Sequence, residues 1–317
     1  MSLFYRARMF ANQQLAHFGL AISRTQKTRW GWGNPIITTQ VGRYAIQVPS
    51  INPISTHYTL HPNYSGHLGR LALLLKKKFP QFSALDIGAN VGDTACIIKS
   101  AADVPLLCIE GDDYTYGFLK QNLQQFQNAT AHNLFLGEQT GTMDICVEKS
   151  GWNTTLVPSQ TGKTGASKKL KIISLDDFLA TQPNTSLIKL LKIDTEGFDC
   201  AILRGAKNFI KRVQPVITFE YNRENMDAIG EPGLDTIFML ADMGYSRIVF
   251  HDAFGRLLCS TTLAERDLIK DLHSYSDGKR SSIYYYDVTV FPTSDADIAT
   301  AFIHTERSIN EDKAHTY

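Results

Sequence analysis

The chain has 317 residues, of which 43% are hydrophobic and 20% charged, and its formal net charge is +1. This composition agrees with a soluble enzyme built as one elaborated domain. No apolar run approaches the roughly 20 residues that cross a bilayer, which argues against a membrane-spanning class. The expected location is cytoplasmic. Five scattered cysteines without CxxC spacing exclude a disulfide scaffold and predict reduced thiols in a reducing compartment.

The balanced total charge conceals an asymmetry along the chain. Ten Lys and Arg residues precede Asp86 without a single Asp or Glu, whereas the remainder carries 22 basic residues against 31 acidic ones. The basic part could attract an anionic substrate or a membrane surface. Alternatively, its charges pair with the acidic remainder. The run Lys76 to Lys78 also ends a helical pattern, where cations suit the C-terminal dipole.

Residues 1–80 are predicted to form an N-terminal extension made of a helix, a hairpin and a second helix. The acid-free stretch 1–26 is faintly amphipathic and predicts a short docked helix, although a transit peptide has a similar composition. Residues 36–40 and 44–48 predict the hairpin. Leucines at helical spacing predict the second helix over 65–79.

Residues 81–295 are predicted to form the main α/β domain, followed by a C-terminal tail, 296–317. Apolar runs that end at acidic residues or glycine turns indicate buried parallel strands with a ligand site at their carboxyl ends. A sixth and a seventh apolar run predict a closing antiparallel pair. The first two predicted strands end at Asp86 and Glu110. The third spans 131–136 and is followed by a returning strand over 143–147. The remaining strands span 190–194, 216–220, 246–250 and 285–291, and the last two form the closing pair.

Two of these segments carry a family resemblance. The first segment is the turn Asp86-Ile87-Gly88-Ala89-Asn90-Val91-Gly92, and the second runs from Lys192-Ile193-Asp194-Thr195-Glu196-Gly197 to Leu203-Arg204-Gly205-Ala206. They resemble the motifs of the FkbM family of S-adenosylmethionine-dependent O-methyltransferases. The resemblance runs from about residue 83 to 292. It implies a class I, Rossmann-like fold with a seven-stranded, mostly parallel sheet, a terminal antiparallel strand and S-adenosylmethionine as cofactor.

The first two strand ends are predicted to bind that cofactor. The glycine turn lets the backbone approach a ligand without Cβ collisions. Glu110 is placed to accept hydrogen bonds from both ribose hydroxyls, and Leu136 and Gly137 are expected near the adenine edge. The predicted cofactor-binding residues are Asp86, Gly88, Asn90, Gly92, Asp93, Glu110, Leu136 and Gly137.

Methyl transfer to a hydroxyl also needs a base or a metal ion to remove the proton. Asp194, Glu196, Glu220 and His251 are the candidate catalytic residues, because all four follow strand ends. Asp194 and Glu220 would be the ligands of a divalent ion such as Mg²⁺, if one is used. The alternatives are that Glu196 only fixes the next helix and that His251 only fills a hairpin end.

Trp152, His57 and Tyr58 are the candidate acceptor contacts. The resemblance implies O-methylation of a sugar hydroxyl, in a glycan or a glycosylated metabolite. A catalytically inactive S-adenosylmethionine-binding protein remains an alternative. A NAD-dependent oxidoreductase is disfavoured because Gly88 to Gly92 lacks the middle glycine of GxGxxG. No nucleic acid is expected as a partner, since a clustered basic and aromatic motif is missing.

Overall fold

A computed structural model gives the structure of the protein. It describes residues 34–61, 63–150, 153–158, 168–276 and 283–314, with the backbone path alone for 146–150, 153–158, 168 and 311–314. The predicted helix over 1–26 and the candidate acceptor residue Trp152 lie outside the described residues.

The described part contains fourteen strands. They are β1 (Ile36–Val41), β2 (Tyr44–Pro49), β3 (Ser83–Ile87), β4 (Leu106–Glu110), β5 (Ala129–Asn133), β6 (Phe135–Gly137), β7 (Gly141–Ser150), β8 (Asn153–Pro158), β9 (Lys168–Ser174), β10 (Ile188–Ile193), β11 (Val216–Tyr221), β12 (Tyr245–His251), β13 (Leu257–Thr262) and β14 (Tyr286–Pro292).

Eleven α-helices connect or flank these strands. They are α1 (Ile54–Leu60), α2 (Gly66–Lys78), α3 (Asp93–Ala101), α4 (Asp113–Asn122), α5 (Leu175–Ala180), α6 (Asp199–Arg204), α7 (Lys207–Val213), α8 (Arg223–Ile229), α9 (Gly233–Asp242), α10 (Arg266–Tyr275) and α11 (Ala296–Ala314).

The main sheet has the order β13-β12-β14-β11-β10-β3-β4-β5. Strands β11, β10, β3, β4 and β5 are parallel, and the antiparallel closing strands follow at the β11 edge. The sheet therefore has eight strands and not the predicted seven. The additional edge strand is β13, whose residues are mostly half-buried, so it lacks the apolar run that revealed the other strands.

Alternate residues of the central strands enter two different cores. Leu85, Leu191 and Ile217 point to one face, whereas Ala84 and Leu190 point to the other. Both faces are covered, which explains why these strands are apolar almost throughout. The strand order reverses between β3 and β10. That reversal leaves a crevice at the carboxyl ends, where open α/β sheets bind ligands.

The predicted third strand over 131–136 is in fact divided between two sheets. β5 pairs with β4, and after Leu134 the chain enters β6, which pairs with β9 in a four-stranded sheet of order β6-β9-β7-β8. Both halves have strand-like sequence, so the change of partner left no local signal. The second sheet packs beside the carboxyl end of β4 and forms one wall of the crevice described below.

The predicted C-terminal tail contains the helix α11, which packs against α2 and the closing strands. Arg70 forms an ion pair with Glu306 of this helix, and Lys78 forms ion pairs with Asp295 and Asp297. At these two positions the basic N-terminal part thus pairs with the acidic remainder. In the described part of the chain, no helix combines the length and apolar character needed to cross a membrane.

Candidate active site

A cavity of about 380 Å³ opens at the carboxyl ends of β3, β4, β10 and β11. It lies in the crevice where the strand order reverses. Nine of the predicted site residues line it, drawn from all three predicted groups. They are Gly88, Asn90, Asp93, Glu110, Leu136, Asp194, Glu196, Glu220 and His57.

The turn after β3 forms the floor of this cavity. Gly88 has a φ of +68°, and a Cβ added to it would lie 1.8 Å from the carbonyl oxygen of Asp194. The amides of Gly88 and Ala89 both donate to the carbonyl of Ile109, at 2.9 and 3.0 Å. Glycine is required at position 88 because two strand ends meet there without space for a side chain.

Glu110 ends β4 and is held by two backbone amides. Asn90 N–H donates to its Oε2 atom at 3.0 Å, and Asp112 N–H donates to its Oε1 atom at 2.9 Å. Burial raises the pKa of this carboxyl to about 7, although both amide hydrogen bonds act to lower it. The carboxyl is thus fixed in orientation, and its remaining lone pairs can accept hydrogen bonds from a ligand in the cavity.

An apolar wall stands next to Glu110. Ile109, Phe135, Leu136 and Ile172 line the cavity there. The Phe135 ring packs so closely on Gly111 that a Cβ at that glycine would lie 2.4 Å from the ring. Phe135 was not predicted as a site residue, because the predicted strand appeared to run straight through it.

Three carboxyl groups gather at the other end of the cavity, on Asp194, Glu196 and Glu220. Burial and the nearby Asp194 raise the pKa of Glu196 to about 7, and Asn225 Nδ2 donates to its Oε2 atom at 2.8 Å. Burial, followed by Asp194, raises the pKa of Glu220 well above its ordinary value. The buried Glu220 Oε2 atom has no hydrogen-bond partner among the described residues.

Lys192 connects the two ends of the cavity, and sequence reasoning missed it. Its Nζ atom lies 3.1 Å from Asp86 Oδ1 and 3.7 Å from Asp194 Oδ2, and it donates to the Gly88 carbonyl at 2.9 Å. Burial opposes the charge, but Asp86 and then Asp194 raise the pKa of Lys192 above its ordinary value. The register of β10 on β3 places Lys192 opposite Asp86. A lysine between buried apolar residues of a central strand was the available signal, since a buried charge needs a partner.

A family model described as the methyltransferase FkbM domain matches residues 86–247, about half of the chain. The chain belongs to this family. A hexuronic acid methyltransferase, AglP of Haloferax volcanii, is 28% identical over 153 residues, which cover 46% of this chain and 59% of AglP. The matched region therefore spans less than two thirds of that relative's length.

Solved structures of methyltransferases resemble the chain more distantly. A methyltransferase FkbM from Methylobacillus flagellatus KT is 18% identical, with 44% of this chain and 33% of that chain covered and a TM-score of 0.33. The methyltransferase domain of METTL16 is 13% identical, with 78% and 72% covered and a TM-score of 0.43. The class of the fold follows from the FkbM family match together with the strand order of the main sheet.

Four of the predicted site residues do not line the cavity, and two of them, Asp86 and Tyr58, contact residues that do. Asp86 is fully buried, accepts a hydrogen bond from the Thr94 hydroxyl and pairs with Lys192. The Tyr58 hydroxyl donates to Asp93 Oδ2 at 3.1 Å. Gly92 precedes α3 with a φ of +90°, and Gly137 lines a neighbouring depression.

His251 is not part of the candidate active site. Its side chain is fully buried, its ring stacks on His67 with centroids 4.6 Å apart, and its Nε2 atom lies 3.4 Å from Glu306 Oε2. The strand β14 separates it from β11 and the cavity. The structure therefore does not bring His251 together with the other candidate residues, because α11 covers this part of the sheet.

The predicted metal site at Asp194 and Glu220 also lacks support. Across the residues that the structure describes, no group of three or more His, Cys, Asp or Glu side chains is arranged to hold a metal ion. Asn222 and Tyr285 also line the cavity but were not predicted, and Tyr64, from the same upstream stretch as His57 and Tyr58, lines it with them. They come from distant parts of the sequence, so only the folded chain brings them together.

Proposed function

We propose that the protein transfers a methyl group from S-adenosylmethionine to a hydroxyl group of a sugar, in a glycan or a glycosylated metabolite. One observation carries this proposal. A single cavity holds Glu110, fixed by two backbone amides, at one end and Glu196, with a pKa of about 7, at the other. The first suits a ribose and the second suits a base.

The lining fits the parts of S-adenosylmethionine. Glu110 would accept hydrogen bonds from the two ribose hydroxyls, and the wall that includes Phe135 and Leu136 would hold adenine. Asp194, whose side chain is 49% exposed, offers a carboxylate for the cationic methionine end. When bound, S-adenosylmethionine supplies an activated methyl group, which passes to the acceptor oxygen while the sulfur keeps the electron pair of the broken bond.

The chain itself has two tasks in this reaction. The first is to position the acceptor hydroxyl, which can supply roughly 7–11 kcal/mol of the lowering of the barrier. The second is to take the proton that the hydroxyl releases, and we assign this to Glu196. A carboxylate with a pKa of about 7 is ionised in part at neutral pH and becomes neutral on accepting the proton. The amide of Asn225 orients it, and such a base contributes about 10²–10⁴ in rate.

The sugar assignment is supported by the relative AglP, a hexuronic acid methyltransferase. A dinucleotide cofactor is disfavoured, because the carboxyl groups around Gly88 would repel a pyrophosphate. The catalytically inactive alternative predicts cofactor binding without turnover. A cytoplasmic location, the absence of a nucleic-acid partner and a membrane contact through the basic N-terminus stay predictions, as does the division of the chain at residues 80 and 295.

Calorimetric titration with S-adenosylhomocysteine tests the cofactor part. We expect the wild type to bind, and Glu110→Gln to bind about 10–100-fold more weakly, because hydrogen bonds to a charged group contribute about 1.5–3 kcal/mol. Exchange of the exposed Glu265 for glutamine serves as the control and should change nothing. Failure of the wild type to bind would refute the methyltransferase proposal, whereas binding without methyl transfer to any of a range of glycosides would favour the inactive alternative.

A further inference from the structure

The side of the cavity away from Glu110 is lined by groups that suit hydroxyls. Tyr64 and Tyr285 lie next to each other in this lining, together with Asn222 and His57. Burial raises the pKa of both tyrosine hydroxyls, so they stay protonated and neutral. The carboxyl oxygens of Glu196 and Glu220 provide acceptors beside them. Such a mixture of donors and acceptors matches a ligand that carries several hydroxyl groups.

The acidic side chains in this lining far outnumber the basic ones. Within the described residues, six carboxyl groups and one lysine face the cavity. The lysine, Lys192, is already engaged by Asp86, Asp194 and the Gly88 carbonyl. His57 adds no positive charge at neutral pH, because burial lowers its pKa. The six carboxyl groups belong to Asp93, Glu110, Asp112, Asp194, Glu196 and Glu220.

An anionic acceptor would find no unpaired positive charge in this lining. S-adenosylmethionine carries a sulfonium and an ammonium against one carboxylate, so it offsets only part of the negative charge. The carboxylate of a uronic acid, or a phosphate group, would then lie among carboxyl groups that repel it whenever they are ionised. Desolvating such a charge without a partner is unfavourable, whereas a neutral sugar loses nothing by the same placement.

We infer that the acceptor is an electrically neutral sugar and that the site discriminates against uronic acids and phosphorylated sugars. This inference rests on the proposed function and narrows it. The acceptor class then differs from that of AglP, a hexuronic acid methyltransferase. It also departs from the expectation that the basic N-terminal part recruits an anionic substrate.

Saturation-transfer NMR on the full chain loaded with S-adenosylhomocysteine tests the inference without requiring turnover. The probes are matched methyl glycosides, glucose with glucuronic acid, galactose with galacturonic acid, and mannose with mannuronic acid. We expect at least one neutral member to bind at least about tenfold more tightly than its acid. Equal or tighter binding of the acids would overturn the inference, and so would binding of S-adenosylhomocysteine with no signal from any sugar. Absence of S-adenosylhomocysteine binding would instead overturn the proposed function from which the inference starts.

Two variants test whether the charge of the lining causes the preference for neutral sugars. His57→Lys places a cation in the lining, and His57→Gln is its uncharged control. The lysine variant should raise the affinity for the acid relative to its neutral partner by about tenfold, whereas the glutamine variant should leave the ratio unchanged. Equal ratios in both variants would show that charge does not set the preference and would overturn the inference.

Discussion

The contact between Gly88 and Asp194 closes the sheet at the point where the cavity forms, and Gly88→Ala tests its importance. The added Cβ would lie 1.8 Å from the Asp194 carbonyl oxygen, a backbone atom that cannot rotate away. Real Cβ contacts essentially never fall below 3.0 Å, so β3 and β10 must separate by at least about 1 Å. The separation would strain two hydrogen bonds, from Asp194 N–H to the Ile87 carbonyl and from Lys192 to the Gly88 carbonyl.

Three contributions lower the free energy of unfolding of Gly88→Ala. A non-glycine residue at φ +68° costs about 1 kcal/mol. A weakened backbone hydrogen bond costs about 1 kcal/mol, and the weakened bond from the charged Lys192 about 2 kcal/mol. Together they lower the free energy of unfolding by about 4 kcal/mol, which is large against the usual total of about 5–15 kcal/mol. S-adenosylhomocysteine affinity should fall as well, because the floor of the cavity moves.

Gly230→Ala separates backbone strain from collision. Gly230 ends α8 with a φ of +73°, and a Cβ there meets no atom within 4 Å. This variant should therefore lose only about 1 kcal/mol. Urea unfolding followed by circular dichroism measures both variants. If Gly88→Ala is no less stable than Gly230→Ala, the strand ends are free to separate and the argument from close packing fails.

Three further predictions concern charge. The kcat/KM for methyl transfer should rise with pH and level off above about 7, because Glu196 loses its proton there. Glu196→Gln should remove this pH dependence and lower the rate by about 10²–10⁴. Binding of S-adenosylmethionine should release more protons than binding of S-adenosylhomocysteine, because its sulfonium lowers the pKa of nearby carboxyl groups. Calorimetric titration in buffers of different ionisation enthalpy measures the protons released, and equal numbers for the two ligands would contradict this. Glu306→Gln should cost about 2–4 kcal/mol in urea unfolding, because Arg70 loses its counter-charge and one of its two acceptor oxygens. Asp267→Asn, in an exposed pair, should cost less than about 0.5 kcal/mol.

Several of the predicted cofactor-binding residues lie together in the cavity, because they belong to local motifs, and their role stays a prediction. Gly88, Asn90 and Glu110 follow strand ends within one stretch of chain, and all three line the cavity. Strand polarity alone was enough to bring them to one edge. Hydrophobic pattern also located the strands of the main sheet other than β13, since strands buried on both faces have apolar runs that stand out in the sequence.

The remaining features depend on pairings that no local pattern records. Lys192 meets Asp86 because of the register between β10 and β3. His251 was assigned to the site because it ends a strand, but β14 and α11 intervene. The acceptor side combines Tyr64 with Tyr285, more than two hundred positions apart in the chain. In each example, the order of strands in the sheet, rather than the residue type, determines which side chains meet.

One physical property connects the cofactor, the base and the choice of acceptor. Burial raises the pKa of Glu110 and of Glu196 to about 7, so folding keeps both carboxyl groups less ionised than they would be in water. A cationic ligand favours their ionised form, which makes the base available once the methyl donor is bound. An anionic acceptor would act in the opposite direction, because it would push the proton back onto Glu196. The proposed site, with a buried carboxylate base next to a cationic donor, is therefore expected to work best with a neutral alcohol.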